Sequence, residues 1–245
     1  MMKLIVFWIG LVGVLVSWEM LLLQPARILY WLIICLAASS ILSLYVSREQ
    51  DKWQNSLIDR LALVLFSIGV FWWILWLDFA IIKFAIVIGI WGVLAYVLEK
   101  AKRIGIVPNK MRLTLFFGGT FFWSTISYGL LIVIGWHLWQ ALIIFAISFG
   151  LFSWFGLQVY EKSIYDKLRA WLLLFLLGVE FFSVIAWLPF TEVTLALVLT
   201  VNLLFSYDLI KYYLFPEFVR KKIIIKKILV YVFFLSLVLI STPWV

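Results

Sequence analysis

Long apolar runs separated by short charged clusters fill the chain, at residues 4–23, 28–46, 61–77, 79–98, 113–134, 138–160, 171–188, 193–210 and 228–244. A helix rises about 1.5 Å per residue and the hydrocarbon core of a bilayer is about 30 Å thick, so one crossing needs roughly 20 mostly apolar residues. The runs meet or approach that length. They predict an all-α integral membrane protein with nine spans in one polytopic domain, 1–245, and no separate soluble domain. Because the runs are continuous rather than alternating, they lack the apolar-out, polar-in signature of a membrane β-barrel.

The positions between the runs carry a second pattern. Alternate connections hold the cations: Arg48, Lys52 and Arg60; Lys100, Lys102, Arg103, Lys110 and Arg112; Lys162, Lys167 and Arg169; Lys211, Arg220, Lys221, Lys222, Lys226 and Lys227. With Lys3 they account for 18 of the 20 Lys and Arg, leaving only Arg27 and Lys83 for the opposite face. The positive-inside rule then predicts a cytoplasmic N-terminus, and an odd number of spans puts the C-terminus outside. Lys3 before an apolar run also fits a secretory signal. However, Ser17, Trp18, Glu19 and Met20 offer no small-x-small cleavage site, so the first span is expected to be retained.

Composition agrees with the runs. Mean hydropathy is +1.16, with 67% hydrophobic and 13% charged residues, far from the roughly 45 to 50% apolar usage of soluble domains. The net charge of +8 resides in the connections, so it reads as a topology signal rather than as a nucleic-acid surface. Cys35, the only cysteine, excludes an internal disulfide and a CxxC site.

A faint repeat runs beneath this. Gly69-Val70-Phe71-Trp72-Trp73, Gly119-Thr120-Phe121-Phe122-Trp123 and Gly178-Val179-Glu180-Phe181-Phe182 share a small residue followed by aromatics. The returning runs end on Tyr45, Tyr96, Tyr160 and Tyr207, each with a small residue seven positions upstream: Ala38, Gly89, Ser153 and Thr200. Seven residues is about two helical turns, which places each pair on one face. The pattern predicts tandem helical hairpins of about 50 residues. Gly89, Gly92, Ser153 and Gly156 then become candidate helix-packing positions, since association in lipid relies on close approach.

Candidate chemistry is sparse. Glu180 stands near the middle of its run, where a carboxyl is costly yet outweighed by the twelve Leu, Ile, Phe and Val around it. It is a proton or cation site on one reading. On the other it is a neutral group bonding a neighbouring helix, with Asn202 as the partner. Glu19, Asp78, His137 and Glu192 form a candidate outer-face cluster, although helix N-termini also favour Asp78 and Glu192, and Lys83 beside them can snorkel. Of the fifteen tryptophans, Trp18, Trp31, Trp73, Trp76, Trp136, Trp139, Trp187 and Trp244 map to outer ends, as an interfacial belt or as a groove for a prenyl or acyl chain. Arg220, Lys221, Lys222, Lys226 and Lys227 are candidate contacts for anionic lipid, on a segment, 215–227, that either lies along the leaflet or only stops the preceding helix.

Catalytic spacings such as GxxxxGK[ST], HExxH and GxSxG are missing, and a lone histidine cannot build a His-rich metal site. No catalytic residue, metal or cofactor is expected. The favoured expectation is a non-enzymatic membrane subunit or scaffold that packs against lipids or other membrane proteins. A small permease or lipid carrier using Glu180 and the outer aromatics is one alternative, and an intramembrane enzyme acting on a lipid-linked substrate is another. The expected location is a cell membrane, by default the bacterial cytoplasmic one.

Overall fold

A computed structural model describes residues 2–46, 53–76, 80–104, 109–218 and 221–241. Among the described residues the chain forms nine α-helices and no strand. They are α1 (Met2–Leu23), α2 (Ile28–Val46), α3 (Trp53–Leu75), α4 (Ala80–Ile104), α5 (Asn109–Ile132), α6 (Leu138–Leu157), α7 (Ile164–Ile185), α8 (Glu192–Leu214) and α9 (Lys221–Ser241). Eight are long and apolar enough to cross a membrane, and α4 carries the shorter apolar stretch Lys83–Tyr96.

Where helix and apolar run disagree, local polar chemistry moved the boundary. α7 starts at Ile164, well before the run at 171, because Ser163 caps it: the Asp166 backbone N–H donates to Ser163 Oγ at 3.2 Å, and Ser163 Oγ donates to the Asp166 carboxylate at 2.8 Å. α8 continues to Leu214 and stops before Pro216, which supplies no backbone N–H. Lys221, Lys222, Lys226 and Lys227 belong to the first two turns of α9 and run continuously into its apolar stretch. From Lys221 onward, therefore, the basic segment is the first part of α9 and not a separate helix.

Contacts divide the chain into two compact units, Met1–Phe122 and Trp123–Val245, with the division falling inside α5. In the first unit, α1 buries Phe7, Leu11, Val14, Trp18 and Leu21, and α2 buries Trp31, Cys35, Ala38 and Leu42. Both series advance by alternating fours and threes, the seam of a left-handed helix pair. Gly10 and Gly13 let the two backbones close: a Cβ on either would press against Ala38, or at Gly10 also against Leu42. α3 and α5 meet through Phe66, Trp73, Phe121 and Phe122, with Gly118 making room for the Phe66 ring. Buried Ser17, Ser43 and Ser67 donate their hydroxyls to their own helices, to Val14, Ser40 and Leu63.

The core of the second unit is an aromatic column. Tyr128 stacks on Phe182 at 4.3 Å, Phe182 on Phe145 at 4.6 Å, and Phe145 on Phe149 at 5.2 Å. Gly178 lies under Phe149 so tightly that an added Cβ would overlap the ring.

Ring donors tie these helices together. Trp18 Nε1 donates to the Ser67 carbonyl at 3.2 Å, Trp91 Nε1 to Leu11 at 2.9 Å and Trp171 Nε1 to Gly150 at 2.9 Å. Tyr128 donates to Phe182 at 3.1 Å and Tyr207 to Gly156 at 3.0 Å. A helical carbonyl has a second lone pair beyond the one used by its own ladder, and these bonds use it.

The two classes of glycine separate in a stability measurement. Gly178→Ala is expected to cost about 1 to 3 kcal/mol, because the Phe149 ring is locked in its stack and cannot yield. Gly89→Ala, inside α4 and in open space, is expected to keep or slightly raise the thermal midpoint in detergent, since alanine favours the helix.

Candidate functional site

Glu180 occupies the side of α7 that turns away from the protein. α7 buries Ala170, Leu174, Gly178, Phe182 and Ile185, whereas Glu180 is exposed. At about 100° per residue, position 180 lies roughly opposite position 178. Its neighbours on that side, Leu173, Leu176 and Val184, are exposed too, and so is Trp187 just past the helix end. Although α7 ends five residues later at Ile185, Glu180 stands eleven residues beyond Arg169, about 16 Å along the axis. That is roughly half the thickness of a hydrocarbon core. The structure does not join Glu180 to Asn202: the Asn202 amide donates to Val198 of its own helix at 2.8 Å.

The outer-face candidates each take a local role. His137 is the N-cap of α6, with its backbone N–H donating to Gln140 Oε1 at 3.0 Å, after a turn in which Gly135 adopts a φ of 75°. Glu192 is the first residue of α8, where an acid complements the helix dipole. Glu19 is half-buried in α1, and Asp78 lies outside the described residues. Among the described residues no group of three or more His, Cys, Asp or Glu could hold a metal ion.

The tryptophans assigned to outer ends divide into two sets. Trp18, Trp31 and Trp73 are buried in the first unit, Trp76 is half-buried, Trp136, Trp139 and Trp187 are exposed, and Trp244 lies outside the described residues. An apolar groove of about 510 Å³ does exist between α6 and α7, but other aromatics line it: Trp154, Trp171 and Phe175, over a floor of Ala146 and Gly150. The packing candidates divide as well. Ser153 and Gly156 are buried, and the Gly156 carbonyl accepts the Tyr207 bond. Gly89 and Gly92 are exposed with nothing within 4 Å of an added Cβ, so they line no helix contact within the described chain.

Sequence reading missed two acid–base pairs. Asp59 of α3 and Arg112 of α5 are buried and meet at 3.2 Å. Asp208 of α8 accepts from Lys227 at 2.7 Å and from the Tyr231 hydroxyl at 3.0 Å, both on α9. Their signal was available, since each acid interrupts an apolar stretch on a helix end that faces a basic connection.

Lys227 is thus neutralised within the chain, whereas Lys226 beside it is exposed. A cavity of about 600 Å³ opens there, lined by Asp208, Ile223, Lys226, Lys227, Val230 and Tyr231. Arg220 and the side chains of Lys221 and Lys222 lie outside the described residues. Nearby, in the connection after α6, Tyr160 stacks on Tyr207 at 5.6 Å. Burial pushes its phenol up to about 12, with a hydrogen bond to Tyr207 opposing the rise and the Asp208 charge adding to it.

Only 6% of the apolar stretch of α9 is buried, so the Asp208 bonds carry an unusual share of its attachment. Asp208→Ala is expected to speed amide exchange through α9 severalfold while leaving α6 and α7 protected, read by hydrogen exchange with mass spectrometry in nanodiscs. Equal exchange in α9 of both proteins would show that apolar contact alone holds it. Neither family models nor curated proteins nor solved structures match the chain, so the reading of its function rests on this geometry.

Proposed function

We propose that the protein is a multi-pass membrane subunit or scaffold that works by packing against other membrane proteins, with its basic connections and N-terminus in the cytoplasm. The observation that carries the reading is Glu180, an exposed carboxyl on the uncovered side of α7, five residues inside the end of an apolar helix long enough to cross a membrane. A group of that kind facing acyl chains has no hydrogen-bond partner and costs a few kcal/mol. Contact with another protein removes the cost. Packing also fits the rest of the chain, whose polar groups are mostly spent within and between its own helices.

Extraction in a mild detergent followed by native mass spectrometry tests this. The protein is expected to leave the membrane in an assembly, and Glu180→Leu is expected to weaken that assembly. A chain that is always monomeric, with or without Glu180, contradicts the proposal.

A second contact is with lipid. The exposed Lys226 beside an apolar wall of Ile223 and Val230 suits an anionic headgroup with its chain alongside, at about 1 kcal/mol per cation. Lys226→Gln is expected to reduce phosphatidylglycerol retained through purification relative to phosphatidylcholine. Unchanged retention would remove this contact from the account.

A further inference from the structure

We infer that the groove between α6 and α7 binds one acyl chain of an anionic phospholipid, whose phosphate meets Lys167 at the mouth. The site is separate from the side of α7 that carries Glu180 and does not depend on the packing function. Helix register gives the groove its length. Gly150 lies level with Phe175, since a Cβ on Gly150 would come within 3.3 Å of that ring. One turn towards the α6–α7 connection, Trp154 meets Trp171 edge to face at 6.1 Å, and one turn further Lys167 Nζ donates to Gln158 Oε1 at 3.3 Å. In the other direction the groove runs to Ala146. From position 146 to position 158 is about 18 Å along α6 at 1.5 Å per residue. One leaflet holds roughly 15 Å of hydrocarbon, half of a core about 30 Å thick, so a chain along the groove brings its headgroup to the Gln158–Lys167 end.

The walls select the occupant. Trp154, Trp171 and Phe175 stand over Ala146 and Gly150, and the Trp171 indole N–H is turned onto the Gly150 carbonyl at 2.9 Å, so the lining presents almost no polar group. A buried water needs two to four polar partners and finds too few. Left empty, a cavity of about 510 Å³ forfeits dispersion contacts along every ring. Ile147, Leu151 and Leu168 on its rim are exposed, and both helices are long and apolar enough to cross a membrane, so hydrocarbon is what enters from the side. A helix of another protein would reach the floor only through single side chains, with gaps between them, whereas a flexible chain follows the whole length.

A chain gains little over the bilayer it leaves, so the headgroup carries the selection. Of the three cations near this end, Lys162 is held over the Phe215 ring at 4.5 Å, and Arg169 lies about 200° round α7 from Trp171. Lys167, one turn from Trp171 on the same side, is the cation at the mouth. The Asp166 carboxylate is turned to the Ser163 cap, and Glu161 is exposed. An anionic headgroup is therefore the one that the mouth complements.

Photolabelling tests the site on the full chain. The protein is reconstituted in phosphatidylcholine vesicles with a trace of phosphatidylglycerol carrying a diazirine midway along one chain, and adducts are mapped by peptide mass spectrometry. Labelling is expected to be severalfold higher on the groove residues than at Ile143 and Leu172, which are exposed outside it. The same diazirine on phosphatidylcholine is expected to label the groove about fivefold less, the weight of one cation against an anionic headgroup. Lys167→Gln is expected to bring the two lipids level, and Lys167→Arg to keep the preference. Ala146→Phe, or the milder Ala146→Leu, fills the far end and is expected to cut labelling by both lipids severalfold, with the thermal midpoint in detergent checking that the helices remain folded.

Groove labelling no higher than at Ile143 and Leu172 overturns the proposal, as does equal labelling by the two lipids, or a preference that survives Lys167→Gln. So does groove labelling that disappears when the lipid is added to native membranes, a result that gives the groove to another protein and leaves the packing function standing.

Discussion

In hydrocarbon, a polar hydrogen that leaves the helix ladder is costly unless it finds an acceptor inside the protein, because no water is there to take it; the buried indole of Trp18 finds one, whereas those of Trp31 and Trp73 do not. Most of this architecture can be traced to that requirement. Serine hydroxyls fold back onto carbonyls of their own helices. Indoles and phenols are too long for that and reach across, so Trp18, Trp91, Trp171, Tyr128 and Tyr207 each end on the carbonyl of a neighbouring helix. Such a bond fixes rotation and height together, which apolar contact alone does not. The ring then adds its packing area to the same junction, as Tyr128 does on Phe182.

Small residues decide where the helices can come close enough for this. Gly10 and Gly13 admit α2, and Gly178 admits the Phe149 ring. The charged pairs Asp59 with Arg112 and Asp208 with Lys227 lie where a helix approaches a basic connection. The first pair is buried and links α3 to α5; the second is half-exposed and fastens a helix that otherwise buries little.

The helices were legible in the sequence because hydrophobicity reads directly as the length of chain that can sit in lipid. Their ends were less so: Ser163 and the basic turn at Lys221 extend α7 and α9 past their apolar runs, and capping and charge do not register as hydropathy. Individual side chains were legible only when their role is local, as for Glu192 at a helix start. Trp18 and Trp136 have the same composition signal and opposite fates, one buried and one exposed, because rotation about the helix axis is set by partners that a single run does not reveal. The same loss of rotation hid the difference between Gly156, in a contact, and Gly89, in open space. Glu180 could be singled out by its position along the run, but its facing side required the packing of α6, α7 and α8.

The facing side of Glu180 is what turns a helical bundle into a candidate partner-binding protein. A spin label at position 180, in lipid vesicles, reports depth and solvent together through its collisions with oxygen and with a water-soluble nickel complex. The account predicts almost no contact with the nickel complex and a depth within the hydrocarbon. Ready access to the nickel complex would place the residue in water and contradict it.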